Sequence, residues 1–204
     1  MPKHRILIFQ HYYEAVMYCI NNDITGYSVE KYQTRRETTY DWVVRLRGQK
    51  NAKRMIYPKQ GGVYFWYVTK EGASQLGVDI SKCTQKGNKF LVYIGLAKNL
   101  NQRLDWHLND KHSPSGIKSG FVSTLRQSLS ALLVGEMVTA KDIVDNFMRK
   151  EMCVEFEVCV DYKEREIELI KEHDLPLNLR DNKHHPFYKT LKQSRKASKQ
   201  KSLL

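Results

Sequence analysis

Apolar positions recur at helical spacing near the start of the chain, at Ile8, Tyr12, Ala15, Val16, Cys19 and Ile20. This predicts a helix over residues 4–22, closed by Asn21-Asn22-Asp23. From Ser28 to Arg47 the pattern weakens to Val29, Tyr32, Tyr40, Val43, Val44 and Leu46, with Thr38-Thr39 placed to cap a short helix ending at Arg47. Residues 49–59 are polar, end near Pro58 and read as a linker. Val63 to Val68 and Phe90 to Ile94 are dense in aromatic and β-branched residues and predict two strands, separated by a long polar excursion over residues 70–89. Leu96, Leu100, Leu104 and Leu108 are spaced by four and predict a helix. A loop over residues 112–120 leads to two further helices, Ser123 to Leu133 and one capped by Thr139 and running to Arg149. Met152 to Val160 alternates and predicts a third strand, and Lys163 to His173 a last helix before Pro176. From Lys189 onward no period is visible, so this stretch reads as a flexible tail. The sum is an α+β arrangement: a helical N-terminal extension (1–60), a central domain of three strands and several helices (61–188), and a tail (189–204).

Charge sharpens that division. The chain of 204 residues carries a net +12, unevenly spread. Residues 1–60 hold 11 basic and 5 acidic residues, residues 61–179 hold 15 and 16, and residues 180–204 hold 8 and 1. Basic ends around a neutral middle suit a polyanion gripped by the flanks. Arg35, Arg36, Arg45 and Arg47 make the N-terminal extension a candidate DNA-docking unit of helix-turn-helix kind, or else a charged helical cap on the next domain. Lys98, Arg126, His184, His185, Lys189, Lys192, Arg195 and Lys196 are the candidate DNA contacts farther on. No run approaches the ~18 apolar residues of a membrane span, and Ile6 to Phe9 is too short for a signal-peptide core. The four cysteines form no CxxC pair, so they read as small buried hydrophobes in a cytoplasmic protein.

The chemistry gathers in the middle domain. Arg103 and His107 lie four apart, hence on one helix face beside the Leu100/Leu104/Leu108 stripe: held by the core, yet at its rim. Glu166 has Leu169 and Ile170 at i+3 and i+4 and borders the buried face of its helix, whereas Glu168 has Lys171 and Glu172 there and faces water. Glu166 is therefore the better metal ligand on spacing. Tyr64 and Tyr93 stand beside glycines, where a backbone can approach a phosphate closely.

In order along the chain these residues sit in Gly62-Val63-Tyr64, Tyr93-Ile94-Gly95, Asn99-Leu100 through Arg103-Leu104 to His107, Glu166 followed by Leu169-Ile170-Lys171, and Asn178. The set resembles the GIY-YIG nuclease superfamily over roughly residues 61–187, most like its small stand-alone bacterial and phage members. The chain departs from the usual pattern in the longer spacing from Tyr64 to Tyr93 and in Pro176, one position late. The resemblance implies a three-stranded antiparallel sheet flanked by helices, and metal-dependent hydrolysis of a DNA phosphodiester. It implies the following roles: Glu166 holds Mg²⁺ or Mn²⁺; Arg103 neutralises charge on the phosphoryl oxygens; Tyr64 takes a proton from the attacking water, with His107 as a further acceptor; Tyr93 orients water or phosphate; Asn178 fixes the geometry. A site-specific enzyme of restriction or defence type is the first expectation. Homing-type and repair or structure-specific enzymes follow, and from other classes a non-catalytic nucleic-acid-binding module and a basic RNA-associated protein. Double-strand cutting by a single-site enzyme calls for a homodimer, although no dimer signature stands in the sequence.

Overall fold

The computed structural model describes residues 57–203 in full, together with the backbone of residues 6–9, 27–33 and 40–46. The chain divides into two compact units, residues 1–57 and 58–204.

The described part of the first unit is an antiparallel sheet of β1 (Ile6–Phe9), β2 (Tyr27–Gln33) and β3 (Tyr40–Leu46), in the order β1-β3-β2. Ile6 pairs with Arg45 and Phe9 with Trp42 on one side of β3, and Tyr27 with Leu46 and Gln33 with Tyr40 on the other. This corrects the helical extension. Strands stand where helices were expected at residues 6–9 and within 28–47, so no helix-turn-helix forms there. The physical reason is a period of two: Tyr40, Trp42, Val44 and Leu46 alternate with Asp41, Val43 and Arg45, and the residues are mostly aromatic or β-branched. Arg45 falls within β3. Arg35, Arg36 and Arg47 lie outside the described residues, as does most of the helix expected over 4–22.

The second unit is built on β4 (Gly62–Thr69), β5 (Gln85–Lys86), β6 (Lys89–Ala97) and β7 (Met152–Val158), in the order β5-β6-β4-β7 with every pairing antiparallel. β5 is a two-residue strand, so the three expected strands carry the sheet. Both faces of central β4 are covered, which its near-continuous apolar run requires. On one face Val63 and Tyr67 join Leu91, Ile94, Leu169, Ile170 and Leu175 in a core closed by helix α6 (Tyr162–Glu172). The other face presents Tyr64 and Trp66.

The excursion after β4 holds α1 (Lys70–Leu76), capped by Thr69, whose hydroxyl accepts the Gly72 N–H at 3.0 Å. The leucine-spaced helix begins later than expected: Leu96 is still in β6, and α2 runs Leu100–Asn109 under an Asn99 cap. The expected loop contains α3 (Pro114–Ser119), with Ser113 as cap and proline in its first turn. α4 (Thr124–Leu133) and α5 (Lys141–Glu151) follow.

The C-terminal stretch is also corrected. Residues Tyr188–Lys201 form helix α7, which packs against α4 and buries Leu191 and Ser198. A single leucine anchor gave no visible period, yet it docks the helix.

Candidate active site

Register places the two phenols. Tyr64 on β4 pairs with Gly95 on β6, and Tyr93 lies two residues before Gly95 on the same face. The Tyr64 ring crosses Gly95 so closely that a β-carbon there would meet its hydroxyl at 2.4 Å and Cζ at 2.5 Å. The third residue of Tyr93-Ile94-Gly95 thus makes room for the first phenol. Gly62 has a similar reason: a β-carbon there would stand 2.1 Å from the Glu157 carbonyl oxygen of β7. The two phenol rings are 6.3 Å apart. Tyr64 is 2% exposed, and burial pushes its hydroxyl well above the ordinary tyrosine range, the neighbouring Tyr93 adding to the effect and Arg103 opposing it. Tyr93 is half-buried, hydrogen-bonds the Thr124 hydroxyl at 3.0 Å, and is raised by burial as well.

Helix α2 brings Arg103 and His107 to this face. His107 is fully buried, and its Nε2 lies 2.7 Å from the Tyr64 hydroxyl. Its Nδ1 bonds the Ser123 hydroxyl. Burial, with Arg103 and then Arg126 nearby, lowers its pKa to about 3, so the imidazole is neutral at working pH. Arg103 is half-buried, with its guanidinium carbon 4.9 Å from the centre of the Trp106 ring.

Glu166 comes from α6 and is 6% exposed. Its carboxylate is within electrostatic reach of Tyr64, Tyr93 and Arg103. Burial raises its pKa, against the pull of Arg180. Oε2 is buried without a hydrogen bond, and the Arg180 guanidinium approaches it only to 3.9 Å from a largely exposed position. A buried carboxylate oxygen with no hydrogen bond, in electrostatic reach of two phenols, fits a hard divalent cation that draws most of its other ligands from water. Among the described residues no cluster of three acidic, histidine or cysteine side chains offers a fuller metal cage.

Asn178 does not join the phenols. Its Oδ1 accepts the Ile94 N–H at 2.9 Å and its Nδ2 donates to the Ile94 carbonyl at 2.8 Å, so the amide clamps the strand between Tyr93 and Gly95. Arg126 is corrected: it is fully buried and cannot meet DNA. Its guanidinium binds His112 Nε2 at 2.8 Å, the His107 carbonyl at 3.0 Å and Asp145. His185 is partly covered, accepting the Phe187 N–H and lying 3.2 Å from Asp174. Arg195 is half-buried and tied to Gln127 of α4. Lys98, His184, Lys189, Lys192 and Lys196 are exposed, and Lys192 lies over the Tyr188 ring. Sequence reading missed Ser123 and Thr124 at the head of α4, and Arg180. A serine and threonine just before an apolar helical run is a capping signature, and that was the available signal for the first two.

Two phenols on one face of a small antiparallel sheet, with an arginine and a buried carboxylate in electrostatic reach of them, are groups suited to hydrolysing a phosphodiester: donors and a cation for the phosphate, oxygens for a metal and a water. A family model described as the GIY-YIG catalytic domain matches residues 62–197, and the chain belongs to that family. Its domain is therefore that of a nuclease, and nucleases of this family are in general dependent on a divalent metal. Comparison with curated proteins and with solved structures finds no match.

Proposed function

We propose that this protein is a DNA endonuclease that uses Mg²⁺ or Mn²⁺ and serves as a site-specific enzyme of restriction type in the cytoplasm. The observation that carries the nuclease chemistry is the electrostatic proximity of Tyr64, Tyr93, Arg103 and Glu166, with Glu166 Oε2 buried without a hydrogen bond. The restriction role is supported by charge: residues 1–60, with 11 basic and 5 acidic residues, precede the catalytic domain in sequence. The three described cysteines are free, as a reducing compartment keeps them.

When bound at Glu166, a divalent cation supplies Lewis-acid polarisation of the phosphate and charge stabilisation at the leaving oxygen. Arg103, braced on Trp106, offers a planar donor fork to the phosphoryl oxygens as charge builds on them. Tyr64 takes the proton of the attacking water, and Tyr93, nearer the surface, orients that water or the phosphate. A buried phenol is a poor base unless its anion is stabilised, and Arg103 is the neighbour whose charge favours the phenolate. His107, with its pKa lowered to about 3, is a weak acceptor for that proton. Asn178 keeps Tyr93 and Gly95 in register through Ile94. Lys189, Lys192 and Lys196 on α7 grip the DNA backbone.

The test is to incubate the protein with several DNAs, with and without Mg²⁺, and to sequence the product ends. Metal-dependent cutting at one short sequence is expected. Cutting at a single long site would make it a homing-type enzyme, and cutting only at branched or damaged DNA a repair enzyme. Binding without cutting, equal for Glu166→Ala and the parent, would remove the enzyme reading.

A further inference from the structure

The hydrogen bonds around His107 fix which of its nitrogens carries the proton. Ser123 caps α4, and its hydroxyl oxygen accepts the Arg126 N–H at 3.3 Å. Its backbone N–H is taken by Asp110 at 2.8 Å, so the residue is held from both sides and is fully buried. The hydroxyl still has one proton to donate. Among the described residues the one acceptor in reach is His107 Nδ1. Were Nδ1 protonated instead, two buried donors would point at one oxygen, and the serine proton would be left without an acceptor.

From this geometry we infer that Ser123 donates to His107 Nδ1, which places the imidazole proton on Nε2 and makes His107 a hydrogen-bond donor to the Tyr64 oxygen rather than an acceptor of its proton. The two guanidinium groups near the ring, Arg103 and Arg126, disfavour a second proton on it. Tyr64's own proton then points away from His107, on the side where the Tyr93 ring stands 6.3 Å off. Ser123 and His107 are thus positioning residues: both are sealed from solvent and act through Tyr64, by stabilising its phenolate from behind. This assignment rests on the reading of Tyr64 as the base, but its first test does not.

The experiment is nitrogen-detected NMR of the full chain carrying ¹⁵N-histidine, with the His107 signals assigned by their loss in His107→Gln. The expected result is a single neutral tautomer protonated at Nε2. In Ser123→Ala the signals should shift toward a mixture of tautomers. In Ser123→Thr, which keeps the hydroxyl, they should return to the parent pattern. In parallel, kcat should fall about tenfold in Ser123→Ala, the rate equivalent of one lost hydrogen bond, with KM unchanged, and recover in Ser123→Thr. A tautomer protonated at Nδ1 in the parent overturns the inference. So does a Ser123→Ala protein that is folded, less heat-stable and unchanged in tautomer and kcat, since Ser123 would then be a helix cap and nothing more. If the parent shows the Nε2 tautomer but cuts no DNA, the nuclease proposal fails while the hydrogen-bond assignment stands.

Discussion

Gly95→Ala is the sharpest perturbation the structure offers, because it adds one methyl group at a defined distance from the Tyr64 phenol, the proposed base. The new carbon would lie 2.4 Å from the Tyr64 hydroxyl, 2.5 Å from Cζ and 2.9 Å from Cε2. Ordinary contacts of this kind are near ~3.5 Å, so the end of the ring must retreat by about 1 Å. It has little freedom to do so: Tyr64 is 2% exposed and the His107 ring centre lies 5.1 Å from its own. Overpacking of this kind costs about 1–3 kcal/mol, which for a chain of this size lowers the melting temperature by roughly 2–4 °C per kcal/mol. The rate should suffer more, since a displacement of about 1 Å in a catalytic group costs on the order of a hundredfold. The assay pairs thermal denaturation with cleavage under saturating DNA and metal. A double-mutant cycle then identifies the cause. In a Tyr64→Leu background, whose side chain does not reach the glycine, Gly95→Ala should cost almost nothing further, which leaves a coupling energy of about 1–3 kcal/mol. Equal destabilisation in both backgrounds would refute the steric account, and an unchanged melting point and rate in the single variant would refute the placement of the ring.

Three further outcomes follow from the same site. Burial raises the pKa of Glu166, so the folded state holds that proton more tightly than the unfolded chain, and stability falls as pH rises through the carboxyl range. Glu166→Gln should therefore melt higher than the parent at pH 7 while losing cleavage, and added Mg²⁺ should raise the melting point of the parent only; a Mg²⁺ shift of equal size in both would remove Glu166 as a ligand. His107 has the opposite sign: its pKa is lowered from 6.5 to about 3, so the unfolded chain takes up a proton first and stability falls as pH drops through that window, by up to ~1.4 kcal/mol per pH unit. His107→Gln should flatten this acid limb in denaturant titrations at pH 4 to 7. Arg126→Ala strips a fully buried guanidinium from Asp145, His112 and the His107 carbonyl among its partners and should cost about 3–5 kcal/mol, whereas Lys192→Ala with Lys196→Ala should leave the melting point unmoved and reduce the salt dependence of DNA binding by about two phosphate contacts.

The catalytic domain was legible because its signals are local and its motifs carry geometric reasons. Asn99 caps α2, four-residue spacing puts Arg103 and His107 on one face, and Leu169 and Ile170 pull Glu166 to the core's edge. The glycines of both short motifs turned out to be steric necessities of strand pairing, which a single strand read alone does not reveal. What stayed hidden was long-range. Arg126 looks like any surface cation until His112, Asp145 and the His107 carbonyl close around it, and what Asn178 holds in place is not visible until Ile94 takes both ends of its amide. In the first unit the alternation at residues 40–46 was present but was masked by mixed apolar positions that also satisfied a loose helical period. The C-terminal helix lacked a stripe because one buried leucine suffices to seat it.

That seating changes what the end of the chain is for. α7 packs on the same short helix whose cap, Ser123, touches the imidazole and whose first residue, Thr124, touches the outer phenol, with Arg195 gripping Gln127 one turn from Thr124. A premature stop ahead of residue 188 would take away a buttress as well as a handle, and the truncated enzyme should fail at the chemical step even on DNA supplied in excess.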